Sequence, residues 1–113
     1  MSKLDEKIAL YTKFVADHKL DIDSEFLAKV TKGLGPSIYK KDAESVACSH
    51  HSELETVVKN FLKKKLGLEL DDKVLMDAAK EVCQEIGSSE RHKYRAVFYA
   101  LLAIKFDKTS IYA

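Results

Sequence analysis

The sequence predicts an all-α fold: one multihelical domain of about five or six helices packed around a central C-terminal helix. Three observations predict it. Apolar residues recur at helix spacing in stretch after stretch. No stretch alternates apolar and polar residues for long enough to argue for a sheet. The few residues that break helices, four Gly and one Pro, mostly stand at the ends of these stretches, where a left-handed or fixed backbone is tolerated.

The first helix is expected from about Lys3 to Lys19, capped by Ser2, with Leu4, Ile8, Tyr11 and Val15 on one face and Leu10 and Phe14 widening it. The second is expected from about Ser24 to Lys32, capped by Asp23, with Phe26, Leu27 and Val30 inward and Gly33 as its stop. Pro36 suits a first helical position, where its missing N–H is no loss, and Ile38 and Tyr39 then give a short apolar turn. Asp42 is placed to cap a further short helix over Ala43 to Ala47 that carries Val46 inward.

Ser52 and Glu55 have capping-box spacing, with Ser49 as the alternative cap. Leu54, Val57, Val58, Phe61, Leu62 and Leu66 follow at helix spacing as far as Gly67. The next helix is expected to begin at Asp71 or Asp72, where acidic residues suit the positive end of the dipole. It carries Val74, Leu75, Ala78, Ala79, Val82 and Ile86 on one face and stops at Gly87. The last helix is expected from Ser88 or Ser89, with Tyr94, Val97, Phe98, Leu101, Leu102 and Phe106 as a wide stripe and Tyr99 and Ile104 adding apolar surface on other sides. No residue from Ala96 to Ile104 is charged, and a helix apolar nearly all round belongs at the centre.

The chain has 113 residues, the size of one ordinary domain. Its content of 46% hydrophobic and 33% charged residues excludes disorder and membrane embedding. Nineteen Lys and Arg against eighteen Asp and Glu leave a net charge of +1. No global field draws such a chain to nucleic acid or an anionic membrane, so any such binding needs a local patch. In the C-terminal half the longest wholly apolar run, Ala100 to Ile104, is far short of a membrane span. The charged start Met1 to Glu6 and the widely separated Cys48 and Cys83 read as a cytoplasmic protein with reduced, buried cysteines.

Several segments taken in order carry a resemblance. They are Lys32 to Tyr39, Val46 to Ser49, Glu53 to Val57 with Lys64 to Leu68, and Gly87 to Ser89 with Lys93 to Ala96. Across nearly its whole length the chain resembles a small bacterial family of helical proteins catalogued only as a domain of unknown function. The resemblance implies a compact multihelical domain and no particular activity, so it assigns no catalytic residue.

Four constellations bear on function. Gly33-Leu34-Gly35-Pro36 resembles the turn of helix-hairpin-helix DNA-binding modules, in which glycine N–H groups and the next helix start approach a phosphate. Gly33, Gly35, Ser37, Lys40 and Lys41 are the candidate phosphate or nucleic-acid residues there. Tyr39 departs from the small residue usual in that hairpin. Lys59, Lys63, Lys64 and Lys65 gather at a helix end, where cations suit the dipole, and Glu69, Asp71 and Asp72 stand just beyond to cancel their field. The only two arginines, Arg91 and Arg95, are candidate contacts for an anion or a partner. The internal reading pairs them with Glu81, Glu85 or Asp77. Cys48, His50 and His51 lack a second ligand pair at zinc spacing, so neither a metal nor a cofactor is expected.

No nucleophile motif or acid/base pair is recognisable from spacing. The leading expectation is therefore a non-enzymatic interaction domain binding another protein or itself. The alternative is a weak nucleic-acid or phosphate binder through the Gly33 to Ser37 turn with Lys40 and Lys41.

Overall fold

A computed structural model of the chain describes residues 3–40, 44–87 and 93–112. The described residues form an all-α structure with helices α1 (Lys3–Asp17), α2 (Ser24–Leu34), α3 (His51–Val57), α4 (Asp72–Ile86) and α5 (Arg95–Lys105). Two 3-10 turns, Gly35–Tyr39 and Thr109–Tyr112, come after α2 and α5. A π-helical segment, Val58–Lys65, continues α3.

Helix α5 is the centre. Ala96, Val97, Phe98, Ala100, Leu101, Leu102 and Ala103 are all buried, and α1, α2, α4 and the Thr109–Tyr112 turn pack against it. Its alanines let neighbouring backbones come close, while Phe98 and Leu102 fill the space between them. The stripes expected on the other helices point inward almost throughout, with Tyr11, Leu27, Val57, Leu62, Leu75 and Val82 fully buried. Leu10 and Val74 are the exceptions and remain exposed.

Several boundaries differ from the sequence expectation. Helix α1 ends at Asp17 because Lys19 turns left-handed at φ 55°, letting the Leu20 N–H donate to the Val15 carbonyl at 3.0 Å. Asp23 caps α2 as expected, accepting from the Phe26 N–H at 3.3 Å. The helix nevertheless runs past Gly33 and stops at Gly35, whose φ of 65° is open to glycine at no steric penalty. Asp42 and Ala43 lie outside the described residues. From Ser45 onward the expected short helix gives way to extended chain: Ser45 forms an isolated antiparallel bridge with Tyr94, and the Val46 N–H donates to the Lys93 carbonyl at 2.8 Å.

The Ser52–Glu55 capping box does not form. Helix α3 starts two residues earlier, at His51 with His50 at the cap position, so Ser52 is already inside it, and Glu55 turns to His51 at 2.8 Å instead. Downstream, the Leu66 N–H reaches back to the Phe61 carbonyl at 2.9 Å, the five-residue reach of a π-helix. Gly67, with φ 67°, reverses the chain beyond it. Ser2, Ser88 and Ser89 lie outside the described residues, and the described part of the last helix begins at Arg95.

The cysteines require the largest correction. Cys48 and Cys83 are joined in a disulfide across 35 residues, with their Cα atoms 6.1 Å apart. They are not separate apolar residues, because the loop before α3 lies directly on α4. The bond ties the bridged segment around Val46 to the helix that packs on α5.

Closing a 35-residue loop restricts the unfolded chain by about 3–4 kcal/mol. Urea unfolding with and without reductant should show a loss of that order, reproduced by Cys48→Ser together with Cys83→Ser. An unchanged midpoint on reduction would show that the bond restrains nothing in the unfolded ensemble.

Candidate functional site

The glycine turn is built into the fold. Gly33 lies in the last turn of α2, and a Cβ there would stand 3.3 Å from the Tyr112 ring. The Gly35 N–H donates to the Lys32 carbonyl, closing α2. The chain then makes a five-residue 3-10 turn, Gly35–Tyr39, containing the backbone of Ser37. Lys40 is exposed, and its carbonyl accepts from the Glu44 N–H at 2.9 Å. Lys41 lies outside the described residues. The turn thus brings Gly33, Gly35, Ser37 and Lys40 together, with one glycine N–H used by the helix end and the other glycine facing an aromatic ring.

Arg91 and His92 lie outside the described residues. Arg95 opens α5 and reaches inward, where its guanidinium donates to Glu53 Oε1 at 2.5 Å and to the Tyr99 hydroxyl at 3.0 Å. The pair is largely buried, at 13% and 27% side-chain exposure. Burial works against the charge, but Tyr99 and Glu53 outweigh it and hold Arg95 above its ordinary pKa. An internal carboxylate therefore offsets the cation at the helix start, and it is Glu53 on α3. Glu81 and Glu85 instead face Lys105, at 2.5 and 3.8 Å.

A second buried polar group lies under α1. The Tyr11 hydroxyl donates to Glu44 Oε2 at 2.7 Å, and Lys7 Nζ reaches the same oxygen at 2.6 Å. Burial, then the Glu44 carboxylate, push Tyr11 far above its ordinary pKa. Both arrangements join residues more than thirty positions apart and are structural in form, tying chain segments to the core.

The basic cluster divides. Lys63 pairs with Asp72, Lys65 sits 5.4 Å above the Tyr112 ring, and Lys59 and Lys64 are exposed. His50 and His51 are exposed at the start of α3. Among the described residues no three His, Cys, Asp or Glu side chains gather as a metal site would need. No described helix is long and apolar enough to cross a membrane.

A surface groove is not visible in the sequence. Two hollows of about 470 and 500 Å³ adjoin, and both are lined by Asp21 and Ile104. Ile104 is 40% exposed on the otherwise buried α5. Phe26 and Tyr112, in edge contact at 5.6 Å, line one half with Asp23 and Glu25, and Leu20 and Leu101 line the other. The first half carries three carboxylates against Lys29 alone. Burial and the neighbouring Tyr99 push the Tyr112 hydroxyl up to about 12. The groove draws on the stretch 18–23 after α1, on α2, on α4 through Glu85, on α5 and on the last turn, so no local spacing announces it. The only signal for it in the sequence is Ile104, apolar but off the main stripe of its helix.

Residues 10–110 match the sequence profile of a family described as "Protein of unknown function (DUF2853)". No curated protein matches the chain.

Two measurements check these assignments. Glu53→Ala should lower stability by about 2–3 kcal/mol, since it leaves Arg95 charged and half-buried without its carboxylate. Glu53→Gln keeps the volume and an acceptor and should lose less; equal losses would mean that the charge of the carboxylate, not its packing or hydrogen bond, carries the contribution. Tyr112 ionises near 10 in the unfolded chain and near 12 in the folded one. Folding free energy from this group is therefore fully present below pH 10 and lost as pH rises to about 12. Tyr11, shifted in the same direction, adds to the loss. Tyr112→Phe should flatten the fall in urea stability across that window, and an unchanged slope would contradict the burial of its hydroxyl.

Proposed function

The chain belongs to this family of unknown function, and we propose that it is a non-enzymatic protein-interaction domain whose groove at Ile104 receives a segment of another protein. The observation that carries this reading is Ile104 itself: an exposed branched apolar side chain on the central helix, shared by two adjoining hollows. Apolar surface that the fold leaves open in a concave place, rimmed by charge, is the usual form of a partner site.

Charge selects the partner. Asp21, Asp23 and Glu25 stand beside Phe26 and Tyr112, an arrangement that favours a Lys or Arg side chain by Coulomb attraction and by contact with aromatic faces. Lys105 is already engaged by Glu81 and Glu85 and opposes such a cation less than a lone lysine would. The partner segment is therefore an apolar residue next to a basic one. Phosphate or nucleic-acid binding by the Gly33–Pro36 turn is the weaker reading, since the Gly35 N–H closes α2 and Gly33 faces Tyr112. A bacterial cytoplasm is the setting proposed with this reading on the charged N-terminal sequence alone, since the Cys48–Cys83 bond belongs to an oxidising compartment rather than to a reducing one.

Peptides selected from a random display library against the whole chain test the reading. Those recovered should pair an apolar residue with Lys or Arg, shift the amides of Phe26, Ile104 and Ser110, and bind Ile104→Asp at least about tenfold more weakly. Peptides that bind Ile104→Asp as well as wild type would sink it. A short DNA duplex titrated in parallel at low salt should leave Gly33, Gly35 and Lys40 unmoved. Salt-sensitive shifts there would favour the phosphate reading.

A further inference from the structure

A separate hollow of about 500 Å³ opens between the π-helical segment and α4. It shares no lining residue with the groove at Ile104. Val58, which is buried, and Met76, which is partly buried, give it an apolar floor. Of its two carboxylates, Asp72 is paired with Lys63, and Glu55 contacts the His51 ring, a pair that is ionic only when the imidazole is protonated. Lys59 and Lys73 also line it, and among the described residues neither has a carboxylate at ion-pair distance. Three lysines against two carboxylates thus border one apolar-floored hollow, and among the described residues Lys59 and Lys73 are in no ion pair.

The backbone adds an independent observation. Residues 58–65 hold a π-helical register, a rare form that is frequent at functional sites. Here it lies where the chain supplies Val58, Lys59 and Lys63 to the hollow.

We propose that this hollow binds a small organic phosphate monoester, its phosphate between Lys59 and Lys73 and its apolar group on Val58 and Met76. Charge matching selects the head: a monoester carries about −1.5 to −2 at neutral pH, whereas a carboxylate leaves one lysine unmatched. Lysine binds phosphate as a point charge and needs no fixed planar geometry. The floor selects the body, since inorganic phosphate would leave Val58 and Met76 wet. The space suits a ligand toward the small end of the usual pocket range.

The test is an amide-resolved NMR titration of the full chain with phenyl phosphate, and with inorganic phosphate and benzoate in parallel. Phenyl phosphate should give saturating shifts at Val58, Lys59, Lys73 and Met76, with inorganic phosphate and benzoate each about tenfold weaker. Lys59→Ala and Lys73→Ala should each weaken phenyl phosphate about five- to tenfold. Lys64→Ala, which removes an exposed lysine outside the hollow, should leave it unchanged. Shifts spread equally over Lys40 and Lys64, indifference to both hollow substitutions, or equal affinity for inorganic phosphate would each overturn the proposal. All three substitutions are at exposed positions, so loss of fold does not confuse the result.

Discussion

Burial of α5 over most of its length, from Ala96 to Ala103, constrains the rest of the molecule. A helix with so little wet surface needs neighbours on most sides, and the chain supplies them from α1, α2, α4 and its own final turn. The polar demands of that helix fall at its two ends. At the start Arg95 meets Glu53 and Tyr99; at the close Lys105 meets Glu81 and Glu85. The bridge from Ser45 to Tyr94 and the aromatic contacts of Tyr94 with Tyr11 and Phe14 serve the same end. They anchor the approach to α5 before its apolar residues enter the core.

Much of this architecture is legible in the sequence, because it arises from periodicity. An uncharged run from Ala96 to Ile104 announces a central helix, and the stripe from Leu54 to Leu66 is buried where spacing puts it. Other features rest on contacts between distant positions. Nothing near Cys48 points to Cys83, and nothing near Arg95 points to Glu53, forty-two residues away. Capping is legible only in part: Asp23 caps α2, whereas Ser52 is drawn into α3 because the helix begins at His51. The π-helical register is not legible either, since its apolar residues suit an α-helix equally well.

The two surface features divide the molecule's chemistry. One is the groove around Ile104, gathered from five parts of the chain and acidic and aromatic in the half that holds Phe26 and Tyr112. The other is basic over an apolar floor, made by α3, its π-helical continuation and α4. They are not wholly independent. Lys65 closes the π-helical segment and sits over the ring of Tyr112, and that ring lines the acidic groove and covers Gly33. A chain with almost no net charge can thus present opposite local fields, because pairing at Glu53, Asp72 and Lys105 removes charge selectively from some faces and not others.

The Cys48–Cys83 bond also makes the chain something other than a linear thread. Residues 48 to 83 form a covalent ring that contains α3, the π-helical segment and most of α4. Drawn out from its two ends, the molecule surrenders only the segments outside that ring. The 35-residue span withholds roughly 120 Å of contour, and only a reductant releases it. A translocating or unfolding machine that pulls on either terminus meets, partway through, not another helix to unravel but a closed loop, which must pass whole.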